Sequence, residues 1–197
     1  DIHLVVNWEY NGEEIKNRIN PERGRPYSNV WQLKSTEKKF FFRPGLTWPL
    51  RAHSFCPQPR PAGSIFSVRG YTVLTSTNEL WTLLGLTASA CFDGLFKICL
   101  GREGFPEFVV GVLKRLPFPG RIQHENRRKL INLAQQAHAL SRRRSESDET
   151  TLGFELPLWI KERSKDNKPR KLWEIQSQLN RVARHVYDID PTALESL

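Results

Sequence analysis

The sequence lacks several features that would assign it to a class at once. It has no methionine among 197 residues and begins with Asp1, which predicts an excised piece of a longer protein or a processed one. Residues 1–10 contain no basic region followed by an apolar one, so we expect no signal peptide there. The three cysteines, Cys56, Cys91 and Cys99, have no metal-like spacing. We therefore expect free thiols in a cytoplasmic protein.

Motifs of a self-sufficient enzyme are also missing. The chain has no Cys/His zinc spacing, no phosphate-binding glycine loop and no Gly-x-Ser-x-Gly motif. Its histidines lie in different segments, and the acids of the middle region form no evident carboxylate pair. We expect no catalytic residues, metal site or bound cofactor in this chain. An intact small hydrolase is the least favoured interpretation, because no constellation of residues supports it.

Long uninterrupted hydrophobic runs are absent as well. The most apolar stretch, residues 78–100, is interrupted by Asp93, Lys97 and two glycines. It therefore falls short of the roughly 20 apolar residues that a membrane span needs, and we expect no membrane contact. Asn78 and Glu79 suit a helix N-terminus. The pattern predicts one long helix over residues 78–100, buried on most of its circumference.

Positive charge, in contrast, is abundant and concentrated in the middle of the chain. The chain has 30 basic and 21 acidic residues, a net charge of +9. Residues 34–69 contain seven basic residues and one acid, Glu37. Residues 97–129 are also rich in lysine and arginine. Such a patch can displace counterions from a phosphate backbone. The alternative is a solvated basic surface with no partner.

The remaining patterns predict an α+β fold. Short strands are predicted at residues 2–6, 40–42, 63–68, 71–74 and 108–113, with a short helix at 13–19. Pro44 and Gly45 predict a turn after the second strand. We expect a small mixed or antiparallel sheet packed on the long buried helix, and then a C-terminal helical region.

Two further helices account for the C-terminal region. Residues 122–140 carry one apolar face. Residues 172–187 carry a narrow apolar seam that would pack against that face or against another chain. The seam consists of Leu172, Ile175, Leu179, Val182 and Val186. We expect a domain at residues 1–120 and a helical region at 121–197, with a mobile linker near 141–157.

Residues 44–61 form the densest irregular stretch and contain five prolines. Proline fixes the backbone in extended or turn conformations, so the polar side chains between the prolines are held out on a stiff loop. Such a loop suits a recognition surface. A structural crossing loop with solvated ends is the alternative.

Four short motifs occur in order between residues 40 and 119. They are Phe-Phe-Phe-Arg-Pro-Gly-Leu-Thr-Trp at 40–48, Pro-Ala-Gly-Ser-Ile-Phe-Ser at 61–67, Leu-Leu-Gly-Leu at 83–86 and Val-Leu-Lys-Arg-Leu-Pro-Phe-Pro at 112–119. This order resembles the target-recognition region of adenine-specific DNA methyltransferases from fused restriction-modification (type IIG) and phage-exclusion (BREX) systems. Residues 178–190 resemble the helix that follows that region in the family.

The chain also departs from the family. Residues 87–89 read Thr-Ala-Ser where the family often has an Asn-Ser pair. The catalytic motif, Asn or Asp followed by Pro-Pro and an aromatic residue, does not occur, and neither does the glycine-rich methyl-donor site. The resemblance implies the DNA-reading part of a methyltransferase whose catalytic domain precedes Asp1. Its partners would be double-stranded DNA and that domain, and S-adenosylmethionine would serve the parent enzyme.

Under this interpretation the stiff loop reads base edges, and basic residues on its flanks hold phosphates. The predicted base contacts are Arg51, His53, Ser54, Gln58 and Arg60. The predicted phosphate contacts are Lys38, Lys39, Arg43, Arg69, Lys114, Arg115 and Arg121. The alternative function is a protein-interaction or assembly module, in which the basic face docks an acidic partner subunit and the seam from Leu172 to Val186 forms the contact. Salt-sensitive binding to duplex DNA without a protein partner would favour DNA recognition.

Overall fold

The computed structural model describes residues 5–26, 39–67, 69–101, 104–151, 153–157, 160 and 168–190. These residues form an α+β fold, as predicted. The helices are α1 Glu9–Asn17, α2 Thr77–Thr87, α3 Ala90–Leu100, α4 Val110–Leu113, α5 His124–Ser145 and α6 Lys168–Val186. The strands are β1 Ile19–Asn20, β2 Arg25–Pro26, β3 Gly45–Thr47, β4 Gln58–Arg60 and β5 Thr72–Val73.

Three of the strands form a small antiparallel sheet in the order β4-β3-β5. At one end of β3, Thr47 pairs with Gln58 and Thr72. At the other end, Gly45 pairs with Arg60. The chain leaves β3 after Thr47 and returns at Gln58, so residues 48–57 form a hairpin loop at the Thr47 end of the sheet. β1 and β2 form a separate two-stranded ladder.

The prediction of a single helix over residues 78–100 is wrong, because the stretch folds as α2 and α3 with a 75° bend between them. Ser89 lies at the bend in an extended conformation, and its Oγ accepts a hydrogen bond from Phe92 N. Serine favours such a cap over a helix interior. No single helix of the described residues is long and apolar enough to cross a membrane, although α2 and α3 together would meet that test across their bend.

The bend is stabilised by two polar side chains of α6. Gln176 Nε2 donates to Ala88 O at 2.8 Å, and Ala90 N donates to Asn180 Oδ1 at 2.9 Å. A break in a helix leaves backbone groups without intrahelical partners, and these contacts satisfy two of them. The position of α6 and the break between α2 and α3 therefore support each other.

Several short predicted elements also differ. Residues 40–42 do not form a strand, because Phe42 has a φ of +63° and Phe41 packs inward against Phe66, with ring centroids 5.1 Å apart. Residues 64–67 are irregular, so β5 alone forms in that region. The predicted strand at 108–113 contains the short helix α4 instead. The predicted strand at 2–6 lies mostly outside the described residues, and the described Val5 and Val6 belong to no strand.

The two predicted C-terminal helices are confirmed as α5 and α6. α5 extends to Ser145, so the first residues of the predicted linker at 141–157 are helical. Ile175, Leu179 and Ala183 of α6 are buried in a cluster with side chains of α2, α3 and α5. The seam of α6 is therefore used within this chain.

Three clusters of buried apolar side chains hold these elements together. The first contains Trp48, Phe55, Phe92, Phe96, Phe108, Leu113 and Leu116. The second contains Leu86, Cys91, Leu130, Leu133, Ile175, Leu179 and Ala183, and the third contains Leu46, Leu80, Leu84 and Ala134. Helices on both sides of the predicted domain boundary at residue 120 share the second and third clusters. The described fold therefore does not separate into two cores at that boundary.

One contact between α2 and α5 predicts a pH dependence of stability. His138 is half-buried against Trp81, with ring centroids 5.6 Å apart. Burial, and secondly the charge of Arg142, lower the pKa of His138 from its ordinary value of 6.5. As the pH falls below 6.5, the unfolded chain binds a proton that the folded chain resists, so stability present above that pH is lost.

We therefore expect His138→Gln to weaken the fall in unfolding free energy below pH 6.5. Urea denaturation of both proteins from about pH 8 to about pH 5 measures this, and carboxylate protonation largely cancels in the difference. A variant whose pH dependence parallels that of the wild type would show that His138 is equally protonated in both states.

Candidate nucleic-acid interface

The hairpin loop 48–57 is fixed to the rest of the fold near both ends. Trp48 and Phe55 are buried in the first cluster, and Trp48 Nε1 donates to Phe108 O at 2.8 Å. Phe55 N donates to Asp93 Oδ1 at 2.7 Å, and Phe108 N donates to Leu50 O at 2.7 Å. The loop is therefore held on α3 and on residues 104–109, which we call the adjoining segment.

Between these attachments the loop exposes Arg51, His53 and Ser54. Arg51 forms an ion pair with Glu107 of the adjoining segment. The ring of His53 packs edgewise on that of Phe105, with centroids 5.1 Å apart. We call Arg51, His53, Ser54, Phe105 and Glu107 the loop-tip surface. It combines a paired cation, hydrogen-bonding groups and an exposed aromatic ring.

Arg60 does not belong to this surface, although it was predicted to contact a base. Only 4% of the residue is exposed. Its Nη1 donates to Ser64 O at 2.8 Å and to Ser64 Oγ at 2.9 Å, and its Nη2 donates to Arg43 O at 2.6 Å. The guanidinium also lies 5.1 Å from the centroid of the Phe66 ring. The structure therefore corrects this prediction, because the side chain is used inside the fold.

The charge of Arg60 is buried without a carboxylate partner among the described residues. Its Nε finds no hydrogen-bond partner there either. Burial lowers the pKa of Arg60 below its usual range, because removal from water disfavours the charged form of the side chain. The side chain therefore depends on the carbonyl groups of Arg43 and Ser64. Its hydrogen bonds link these two residues beside the last residue of β4.

Gln58 and Arg69 lie at the same end of the sheet as the hairpin loop. Gln58 begins β4, pairs with Thr47 and is exposed. Arg69 is exposed in the turn before Tyr71, whose carbonyl accepts a hydrogen bond from Thr47 Oγ1 at 2.8 Å. These two predicted DNA contacts are thus placed beside the loop by the sheet register.

Lys39 and Arg43 are exposed near the opposite end of the sheet, ahead of Gly45. Arg43 Nη1 donates to Lys39 O at 3.2 Å, so the two lie together. Lys38 falls outside the described residues. The structure therefore separates this pair of predicted phosphate contacts from the loop-tip surface.

The last three predicted phosphate contacts are divided as well. Lys114 and Arg115 are exposed between Leu113 and Leu116, which are buried in the same cluster as the loop residues Trp48 and Phe55. Arg121 is exposed elsewhere, beside a cavity of about 430 Å³ between α2 and the residues before α5. Of the predicted contacts, Arg51, His53, Ser54, Gln58 and Arg69 thus lie on or beside the hairpin loop, while Lys39, Arg43 and Arg121 lie apart from it.

Comparison of the chain with protein-family models, with curated proteins and with solved structures finds no match. Among the described residues, no group of three or more His, Cys, Asp and Glu side chains is placed to hold a metal ion.

Sequence reasoning missed Phe105 and Glu107. Both lie more than fifty positions after the loop residues that they contact. No short-range pattern signals such pairings. Arg51 and Glu107 also form an isolated antiparallel bridge between their backbones, so the loop and the adjoining segment run side by side. An aromatic residue directly before a proline in a loop was the only local signal available.

Proposed function

We propose that this chain is a sequence-specific DNA-recognition module of an adenine-specific DNA methyltransferase or fused restriction-modification enzyme. The observation that carries the proposal is the fixed hairpin loop, which exposes Arg51, His53 and Ser54 while its ends are buried and hydrogen-bonded. A loop that is already ordered loses little conformational entropy on binding. The choice of a methyltransferase as the parent is supported by the order of motifs in the sequence.

The roles within the surface follow from hydrogen-bonding chemistry. Arg51 is suited to the two acceptors on the major-groove edge of guanine, and Gln58 is suited to the acceptor and donor of adenine. His53 and Ser54 can donate or accept. Arg69, beside the loop, is suited to phosphate. Methyl transfer from S-adenosylmethionine belongs in this proposal to the parent's catalytic domain, and no residue of this chain is assigned to it.

Glu107 gives the surface a means of discrimination. Arg51 is paired with this carboxylate when no DNA is bound. When DNA binds, a base edge must replace Glu107 as the acceptor for Arg51. A DNA sequence that offers no suitable acceptor leaves the Glu107 carboxylate close to DNA phosphates. An exposed ion pair contributes only about 0–1 kcal/mol, so the exchange is cheap for the correct base. Repulsion then acts mainly against incorrect sequences.

Glu107→Gln tests the proposal. We expect it to increase affinity for arbitrary duplex DNA by roughly threefold to tenfold at low salt, because a negative charge is removed and Arg51 is released. The slope of log affinity against log salt should steepen by up to about one unit. Discrimination between a preferred duplex, selected from a random pool, and arbitrary duplexes should fall. Fluorescence anisotropy of labelled duplexes over a salt series measures all three quantities.

Glu125→Gln is the matched control. Glu125 also pairs with a basic residue, Lys129, but both lie on α5 away from the loop. The two substitutions change the net charge equally, so only Glu107→Gln should reduce discrimination. Equal effects of both variants would mean that Glu107 acts only through its contribution to the net charge. If the wild-type chain binds no duplex DNA in a salt-dependent manner, the proposed function itself is wrong.

A further inference from the structure

Phe105 is an exposed aromatic residue on the loop-tip surface. Polar groups read base edges by hydrogen bonding, and a phenyl ring takes no part in that reading. As much as 57% of the residue is exposed. A phenyl ring normally stabilises a fold by leaving water, so its exposure sacrifices apolar burial. The next residues, Pro106 and Phe108, are fully buried. Phe105 is therefore held outward by a backbone that is anchored immediately after it.

The ring is also braced from the side. His53 contacts it edgewise at a centroid distance of 5.1 Å and an interplanar angle of 66°. The two backbone segments that carry these rings are joined by the hydrogen bond from Phe108 N to Leu50 O. A ring that is supported in this way loses little freedom when a flat partner stacks on its open side.

The surroundings of the ring indicate the kind of partner. Among the described residues of the hairpin loop and the adjoining segment, Phe105 is the only large apolar side chain that is exposed. Its neighbours on the surface are Arg51, His53, Ser54 and Glu107, which are charged or polar. The centre of a protein interface is usually depleted in charge, with several apolar residues together. An isolated aromatic ring among hydrogen-bonding groups on a basic chain is instead typical of base stacking.

We infer that Phe105, braced by His53, stacks on a nucleobase at an opened base step of the bound duplex. The inference rests on the proposed function, since it requires duplex DNA at the loop-tip surface. A base inside an intact duplex is stacked on both faces, so the ring can be accommodated only where one step has separated. Apolar side chains inserted at such steps are a known way to open and bend DNA. The ligand is thus a base face, in addition to the base edges read by the polar residues.

The test uses the full chain and a preferred duplex in which 2-aminopurine replaces single bases in turn. We expect the wild type to increase the fluorescence of the probe at one step, because the probe brightens when it unstacks. Phe105→Ala should abolish that increase and weaken binding roughly tenfold to a hundredfold. Phe105→Trp, which keeps a stacking face, should retain both. A mismatch placed at that step should strengthen wild-type binding, because the step is already weakened.

Phe118→Ala is the matched control, because Phe118 is also substantially exposed but lines the cavity beside α2 and packs on Phe92, whereas Phe105 packs on His53 of the loop-tip surface. It should leave the fluorescence increase unchanged. Thermal unfolding shows whether each variant is folded. If the alanine variant is not folded, Phe105→Trp still tests the inference. If Phe105→Ala binds and brightens the probe like the wild type, the stacking inference is overturned and the proposed function stands. A ring that contacts a protein partner instead of DNA would give the same result. If the wild type binds no duplex, both fail.

Discussion

Gly85→Ala is expected to destabilise the protein by roughly 1–3 kcal/mol, because α2 and α5 meet at this glycine with no space for a side chain. A Cβ atom at position 85 would lie 2.7 Å from the carbonyl oxygen of Leu130 and 3.1 Å from its carbonyl carbon and Cβ. The obstacle is the backbone of α5, which cannot rotate away as a flexible side chain can. Thermal and urea denaturation measure the loss.

Gly94→Ala is the matched control for this experiment. Gly94 also lies inside a helix, α3, but a Cβ there would meet nothing within 4 Å. Alanine restricts the unfolded chain more than glycine does, so the substitution should stabilise the protein by about 0.5–1 kcal/mol. The two substitutions are chemically identical and should change stability in opposite directions. A Gly85→Ala variant as stable as the wild type would show that α2 and α5 do not approach this closely.

The contact at Gly85 also shows which parts of the fold could be predicted from the sequence. The long helices α5 and α6 follow from a repeat of apolar residues that is independent of their partners. The bend between α2 and α3 has no such signal, because both halves are apolar and both are buried. The groups that stabilise it, Gln176 and Asn180, lie about ninety positions further along the chain. Serine also occurs inside helices, so Ser89 alone did not reveal the cap that these contacts support.

The short strands were the least predictable elements. Each strand of the small sheet has two or three residues, too few for an alternating pattern to appear. Pro44 and Gly45 predicted a turn, yet Gly45 begins β3. A Cβ at position 45 would lie 2.6 Å from the carbonyl oxygen of Val73, so glycine is needed for close approach of the strands. Glycine is used both in turns and where two strands approach closely, and the local sequence does not distinguish these two uses.

The candidate site was predictable in part for a similar reason. A proline-rich loop that projects Arg51, His53 and Ser54 could be inferred locally, since proline stiffens the segment in which it lies. Whether a particular arginine points outward could not be inferred. Arg51 and Arg60 are nine positions apart in the same segment, but one meets an exposed carboxylate and the other meets buried carbonyl groups. The contacts of Arg60 depend on how β3 and β4 pair, and the contact of Arg51 depends on the adjoining segment more than fifty positions away.

Arg60→Ala is expected to lower stability by roughly 2–4 kcal/mol, because it removes the donor from buried acceptors that have no replacement. The acceptors are Ser64 O, Ser64 Oγ and Arg43 O. Loss of the side chain also leaves a space against Phe66. Arg60→Lys should recover only part of the loss, because one ammonium group cannot reproduce the planar fork that reaches both Ser64 and Arg43. Urea denaturation of the three proteins gives the order of stability.

Gln58→Ala separates this structural role from recognition. Gln58 lies on the same strand, two positions earlier, but is exposed at the loop end of the sheet. Its substitution should change stability by no more than about 0.5 kcal/mol, while weakening discrimination between preferred and arbitrary duplexes under the proposed function. Arg60→Ala should show the reverse when binding is measured well below its unfolding temperature. An Arg60→Ala protein that is fully stable but has lost discrimination would mean that the guanidinium faces DNA and is not buried against the carbonyl groups of Ser64 and Arg43.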